Sequence, residues 1–585
     1  MTRRLSRWWP CCVIVVWSWL PGVVATACAA DDNAGLLSRV PSGALGAAEI
    51  SDLKSALQQI KTSELLQNIM ASDPYRAFAK SSQYQQIQTG RNFVEAFLGM
   101  NLWDAGQKLL GHRLALAFYA NPDASQPDAL GILKVSDSQT LDAFRKRIEP
   151  FLSEIAAKDD PEAEAAIRVY SVNNQAFVAF HDDWVAGSNN RKLLDRTLKL
   201  LVAAQPAADV LTATPGYQAM LRHMGADHFV QAFVNLRLVR KAYAFSIPRK
   251  LDNPLSSLLF GGIVELAATS EYLGMSADHD KHGFRLRWGL AGGPSTVPDA
   301  HRAFFSDPKS AGTATLPELD GLIGGLALHR DFARWYRARE HLVEPGLLPE
   351  FDKFETALGN FLPGRDIGED VLPLLGSQVA LIAAPQTYAH LDGRPGVQLP
   401  GFGLIVELQD PQVGGDVFSL FFQTLMAILN IEAGQQGRQP WIVTSESYNG
   451  AQIAFARYLK RPVGERLPIV FNFTPSCTRI GKQFVICTSR DLCRKLVDHL
   501  QKPASDRPRV NRNFAFELRG ATLVTALAAN REMLTAELLK GGKTLPQANS
   551  DLQYIFDLIR RIEHVRLSTH VRPQAFQLEL EGRWR

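Results

Sequence analysis

The chain is short of cysteine, of net charge and of any signature that would name a reaction. It has six cysteines in 585 residues, and three of them fall within the first thirty. The other three, Cys477, Cys487 and Cys493, make no CxxC pair and have no histidine at ligand spacing, so a zinc centre or a thiol-redox motif has no support. Lysine and arginine number 63 against 59 acids, a formal charge of +4. Three of those four charges are Arg3, Arg4 and Arg7; the chain without residues 1–30 carries +1, which gives nucleic acid no electrostatic footprint. There is no HExxH, no GxSxG, no P-loop and no GxGxxG after a strand, so no catalytic residue, cofactor or metal ligand is assigned. Beyond the first thirty residues no apolar run approaches the roughly 20 residues of a membrane helix, and no transmembrane segment is expected there.

What the chain does have begins with a leader. Arg3, Arg4 and Arg7 precede "WWPCCVIVVWSWLPGVVATACAA", the charged, apolar and small-residue succession of a secretory signal over residues 1–30. Cleavage after Ala27, Ala29 or Ala30 is the main reading, giving an exported, periplasmic protein. "ATAC" also resembles a lipoprotein box with Ala25 in place of a large aliphatic residue, which makes Cys28 the point of lipid attachment in a lipid-anchored alternative. Pro21 interrupts the stretch as an uncleaved anchor.

The body of the chain repeats itself. "LLGHRLAL" at Leu109 returns as "LLGSQVAL" at Leu374, and further pairs follow in the same order. "GILKVSDSQTLDAFRKRIEPFL" answers to "GLIVELQDPQVGGDVFSLFFQTLM", a strand followed by a helix with Leu141, Phe144, Ile148 and Phe151, or Phe418, Phe421, Phe422 and Leu425, on one face. "DDWVAGSNNRKLLDRTLKLL" answers to "KQFVICTSRDLCRKLVDHL". "SADHDKHGFRLRWGL" aligns without a gap to "STHVRPQAFQLELEG", where apolar and charged residues alternate with the period of a half-buried strand. These matches predict an α+β fold of two tandem pseudo-repeat domains, 32–297 and 312–585, each an antiparallel sheet packed with helices. Residues 298–311, in a Gly-, Pro- and Ser-rich stretch, read as a surface linker. The second copy has longer loops at "PQTYAHLDGRPGVQLPG" and "EAGQQGRQP", read as solvated loops with ligand binding as the alternative.

"CTRIGKQFVIC" reads as two short strands around a turn at Gly481 and Lys482. A disulfide between Cys477 and Cys487 is one reading; two buried thiols is the other, and Cys493 on the next helix could compete for either partner. Four local clusters carry side chains that could form a site. "SDLK" places Ser51 three residues before Lys54, a nucleophile and base spacing that lacks its companion motifs. Asp278, His279, Asp280 and His282 could ligate a divalent metal, although a hairpin turn at Gly283 explains them equally. Arg237, Arg240, Lys241, Arg249 and Lys250 make a basic stretch that suits anionic headgroups or a solvated helix face. "DFARWYRAREHL", with Arg330 just before it, interleaves Phe332, Trp335 and Tyr336 with Arg330, Arg334, Arg337 and Arg339, which reads as a helix with aromatics toward a core or as a peptide- or glycan-binding patch.

With its leader, its strand–helix repeats and phrases such as "LLGHRLAL" and "DDWVAGSNNRKLLDRTLKLL", the chain resembles exported bacterial envelope proteins carrying duplicated domains of unknown function. The resemblance implies export and an α+β duplication and supplies no catalytic residues. The expected function is a non-enzymatic envelope or periplasmic binding or scaffolding protein with an envelope protein as partner, no nucleic acid, and peripheral membrane contact at most. A hydrolase with a site assembled from distant residues, or a carrier of an apolar ligand, are the alternatives.

Overall fold

The structure, a computed structural model, describes residues 35–585 apart from 63–66, 68–69, 72, 110–111, 123–125, 152, 156–166, 173–174, 204–207, 307–315, 459–463 and 503–511. The leader and Cys28 therefore lie outside the described residues. The fold is α+β, and the chain forms two compact units, Met1–Phe245 with Glu271–Trp288, and Ser246–Ser270 with Gly289–Arg585.

Unit 1 contains strands β1 (Gly46–Ser51), β2 (Arg113–Tyr119), β3 (Asp128–Lys134), β4 (Ser153–Ile155), β5 (Arg168–Val172), β6 (Ala176–His181), β7 (Trp184–Ser188), β8 (Val230–Val234), β9 (Leu273–Asp280) and β10 (Gly283–Ala291), the last leaving the unit after Trp288. Their ladder order is β4-β5-β6-β7-β3-β2-β1-β8-β9-β10. Unit 2 contains β11 (Gly324–His329), β12 (Leu375–Ala384), β13 (Gly401–Leu408), β14 (Trp441–Tyr448), β15 (Ala451–Tyr458), β16 (Ser476–Ile480), β17 (Gln483–Cys487), β18 (Arg512–Leu518), β19 (Ile562–Arg572) and β20 (Ala575–Trp584). Its main ladder runs β14-β15-β16-β17-β13-β12-β11-β18-β19-β20, and every pairing in that ladder is antiparallel. Strand for strand, the two orders are the same.

Each unit clothes part of its sheet on both faces. In unit 2 the helix Arg490–Leu500 presses Leu492, Cys493, Leu496 and Val497 onto Ile405, Val485 and Cys487. The helix Pro411–Gln435 covers the other face through Phe422 and Met426, packed on Val406, Cys477 and Phe484. In unit 1 the helices Arg191–Val202 and Ser138–Ile148 do the same, through Leu194 and Leu198 on one face and Leu141, Phe144 and Ile148 on the other. Burying one such phenylalanine contributes about 2–3 kcal/mol, so these interior stripes dominate each layer's stability. The helix starts are set locally: Asp137, Asn190 and Asp410 accept backbone amides at their first turns, and Pro411 needs no donor where it stands.

Several expectations change. In the repeated phrase at Leu374, Gly376 is the second residue of β12, and a Cβ there would sit 2.6 Å from Glu407 Cγ. Its missing side chain permits close strand contact. Among the described residues one helix, Pro411–Gln435, is by length and composition long and apolar enough to cross a bilayer, where none was expected. Polar Gln412, Asp416 and Gln423 break the linear run, but at 25 residues the helix is longer than the apolar phrase suggested; Val413, Leu420 and Ile431 stay exposed. The described part of 298–311 is no solvated crossing either. Asp299–Phe304 is a 3-10 turn that buries His301, Ala303 and Phe304, followed by buried Phe305 and Ser306. Phe304 nests against Gly261 and Gly262 of the helix Pro254–Thr269, which belongs to unit 2 although it precedes residue 297.

Candidate functional site

Unit 2 holds a cavity of about 780 Å³ lined by Pro298, Asp299, Ala300, His301, Asp331, Arg334, Arg337, Ala338 and His341. Three short elements build it: the 3-10 turn Asp299–Phe304 and the helices Phe332–Arg337 and Arg339–Leu342. The aromatics of "DFARWYRAREHL" turn inward. Trp335 packs on Phe351 and its indole N–H points to Ser257 Oγ at 3.4 Å, while buried Tyr336 donates to Glu355 at 3.0 Å. That leaves Arg334 and Arg337 on the cavity side of the same helix.

One buried arginine holds together the elements around the cavity. Arg330 is 3% exposed and pairs with no carboxylate among the described residues; its guanidinium donates to the carbonyls of Leu258 (2.7 Å), Leu259 (2.6 Å), Phe304 (3.1 Å) and His329 (2.6 Å). It thereby ties the helix Pro254–Thr269 and the 3-10 turn to the end of β11. Burial lowers its pKa to about 10, leaving it charged at neutral pH.

Behind the wall sits a buried acid. Glu265, 1% exposed within an apolar helix, has Arg249 at 3.5 Å and His301 Nε2 at 3.9 Å, and neither carboxylate oxygen accepts a hydrogen bond. Both nitrogens of His301 are likewise buried without a hydrogen-bond partner. Burial lowers the His301 pKa; Glu265 opposes that shift, and Arg249 and His341 add to it. At neutral pH His301 is an uncharged ring facing the cavity.

The cavity's acids are already engaged. Asp299 pairs with Arg334 and with Arg302, and Asp331 accepts the Arg334 backbone amide at 2.9 Å. Arg337 has no carboxylate partner among the described residues; its Nε donates to its own helix at Ala333 O, 3.3 Å away. The His341 ring makes no hydrogen bond or ion pair among them. The wall thus presents the guanidinium of Arg337 and the imidazole of His341, each of which can donate to a negatively charged oxygen, while the His301 nitrogens stay buried behind it.

The other clusters do not converge on a ligand. Ser51 ends β1, donating its amide to Phe229 O, whereas Lys54 lies in the helix Leu53–Thr62 beyond the left-handed Asp52, so the two do not share a helix face. Asp278 is held by His228 Nδ1 at 2.9 Å and by Arg287 at 3.3 Å; Asp280 accepts the His282 amide in the hairpin turn; His279 meets Phe229 edge to face. No group of three potential ligands is found among the described residues. His228 also approaches Met224 O at 3.0 Å. Burial alone would lower its pKa, but Asp278 and that carbonyl raise it overall, which fits an imidazolium donating from both nitrogens. In the basic stretch, Arg249 turns to Glu265 and Lys250 donates to Glu340 O at 2.9 Å.

Cys477 and Cys487 face away from each other. The register pairs Cys487 with Ser476 and Cys477 with Ile486, so the two thiols project from opposite faces of the sheet into different interior clusters. A direct bridge would require one strand to turn over. The loop 385–401 is pinned by buried Asn472, whose amide oxygen accepts from Tyr388 (2.6 Å) and Leu399 N (2.8 Å) and whose nitrogen donates to Val397 O, and by Asn530, bonded to Gln398 through both amide atoms.

Sequence reasoning singled out Arg334 and Arg337 but missed His301, His341 and Glu265. The one available signal was Glu265 itself, a lone acid inside "LLFGGIVELAAT".

Neither a protein-family profile nor a curated protein matches the chain. Two solved structures with similarity are crystal form III of TP0453, covering 43% of this chain and 78% of that one at 11% identity and TM-score 0.22, and its crystal form I, covering 45% and 80% at 10% identity and TM-score 0.23. At these scores the likeness carries no argument about function.

Proposed function

We propose that the chain is an exported, non-enzymatic binding protein that takes a small anionic ligand, a carboxylate or phosphate, in the cavity of unit 2. The observation that supports this reading is the imbalance in the cavity wall: Asp299 and Asp331 are engaged, while Arg337 and His341 have no acidic partner among the described residues. The two units, with their common strand order, are read as an internal duplication in which the second copy carries the binding site. Export into the periplasm rests on the charged and apolar leader, and an envelope protein partner is retained as part of the same reading.

A hydrolase has less support. His228 commits both nitrogens to Asp278 and the Met224 carbonyl, and no serine, threonine or cysteine lines the cavity beside His301. An apolar carrier would need a mostly apolar wall, and four of the nine residues lining this one are charged.

Calorimetric titration of the full chain with inorganic phosphate and with succinate tests the proposal. Saturable binding of at least one is expected, weakened about tenfold or more by Arg337→Ala, because a charge-assisted hydrogen bond to a ligand contributes about 1.5–3 kcal/mol. If neither anion binds, or if Arg337→Ala binds as tightly as the parent, the proposal fails.

A further inference from the structure

Cys487 closes β17, and Cys493 lies in the first turns of the helix that follows directly, Arg490–Leu500. Because side chains alternate along a strand, Val485 and Cys487 share the face covered by that helix, and Cys493 is on the helix stripe turned toward them with Leu492, Leu496 and Val497. The two residues are 2% and 0% exposed, and both are free thiols packed in the same interior cluster. Gly403, opposite Cys487 on β13, makes the space: a Cβ there would stand 3.3 Å from Cys487 Sγ. Cys477 is on the other side of the sheet, among Phe422, Met426 and Phe484. At the matching places in unit 1, the end of β7 and the next helix, stand Ser188 and Leu194, which cannot bridge.

We propose that Cys487 and Cys493 are a disulfide-forming pair that staples β17 to its following helix when the chain folds in contact with a disulfide donor. One cysteine thiolate attacks the donor's S–S bond, giving a mixed disulfide and releasing one donor thiol. The second cysteine thiolate then attacks the protein sulfur of that mixed disulfide, and the other donor thiol leaves. The pair gives up two electrons and two protons, and the donor disulfide is reduced to two thiols. The exchange takes place before the helix docks, since burial afterwards removes the sulfurs from any donor and pushes the Cys487 thiol well above its ordinary pKa. This inference is independent of the cavity in unit 2.

Tryptic mapping of the full chain, produced in an oxidising compartment and alkylated under denaturing conditions, decides it. The peptides Gln483–Arg490 and Asp491–Arg494 are expected joined and two hydrogens lighter than the separate pair, with Cys477 alkylated in Leu467–Arg479. Reductant should separate them, and Cys477→Ala should leave the joined pair intact. Recovery of Cys487 and Cys493 in separate alkylated peptides, or of either joined to the Cys477 peptide, overturns the proposal.

Discussion

Replacing Arg330 by lysine should destabilise unit 2 by about 3–5 kcal/mol, and more than replacing it by methionine, which should cost about 2–3 kcal/mol. The order matters more than the values. Arg330 reaches four carbonyls from two directions because its guanidinium is a planar fork, with Nε and both terminal nitrogens each committed. A lysine keeps the positive charge at a buried position but brings a single compact donor group, leaving a cation short of partners where solvent cannot reach it. Methionine removes the charge along with its desolvation cost and still packs beside the Phe304 ring, which Arg330 now overlies at 5.4 Å. The carbonyls are not orphaned outright; Phe304 O, for one, also accepts from Asn513. Urea unfolding of the two variants against the parent measures both costs. A lysine variant as stable as the parent would show that charge alone, without the fork, holds the helix Pro254–Thr269 to β11.

Acid should weaken the same unit through the neighbouring residue. His329 ends β11 with Nδ1 buried and lacking a hydrogen-bond partner, and its pKa is lowered to about 4, first by burial, then by Arg330, with Asp331 opposing. The sign follows from proton counting. Below the unfolded value of 6.5 the unfolded chain takes up a proton that the folded chain refuses until about pH 4, so stability is present above 6.5 and is lost as the pH falls through that window. At about 1.4 kcal/mol per unit the loss reaches about 3 kcal/mol. His301 and His564 in the same unit, each also lowered chiefly by burial, act in the same direction, as His279 does in unit 1. His228, also in unit 1, acts oppositely: its raised pKa contributes stability below 6.5 that is lost as the pH rises through its folded value. Comparing urea midpoints at about pH 7 and about pH 4.5, His329→Gln should narrow the difference seen in the parent. An unchanged difference would remove His329 from the account.

The fold and the site were unequally legible, and the residues show why. Strand and helix layers declare themselves by period: Phe418, Phe422 and Met426 recur at helical spacing because one helix face meets the sheet, and Gly481–Lys482 marks a hairpin because the turn needs a left-handed residue. The cavity has no such period, since it comes from a 3-10 turn and two helices of six and four residues. Arg330 and Arg334 stand four apart in one arginine-rich phrase, yet one is sealed in the interior and the other faces the cavity. Only the position of the helix Pro254–Thr269, supplied from about 70 residues away, separates them. Likewise, "CTRIGKQFVIC" gives the hairpin but not its register, and the register sends Cys477 and Cys487 to opposite faces.

Anomalous diffraction from crystals of the full chain soaked in selenate, a phosphate mimic with a strong scatterer, tests the binding site most directly. The account predicts a selenium peak in the unit 2 cavity beside Arg337 and His341, absent from Arg337→Ala crystals soaked alike. Selenate found elsewhere on the surface with the cavity empty would contradict it.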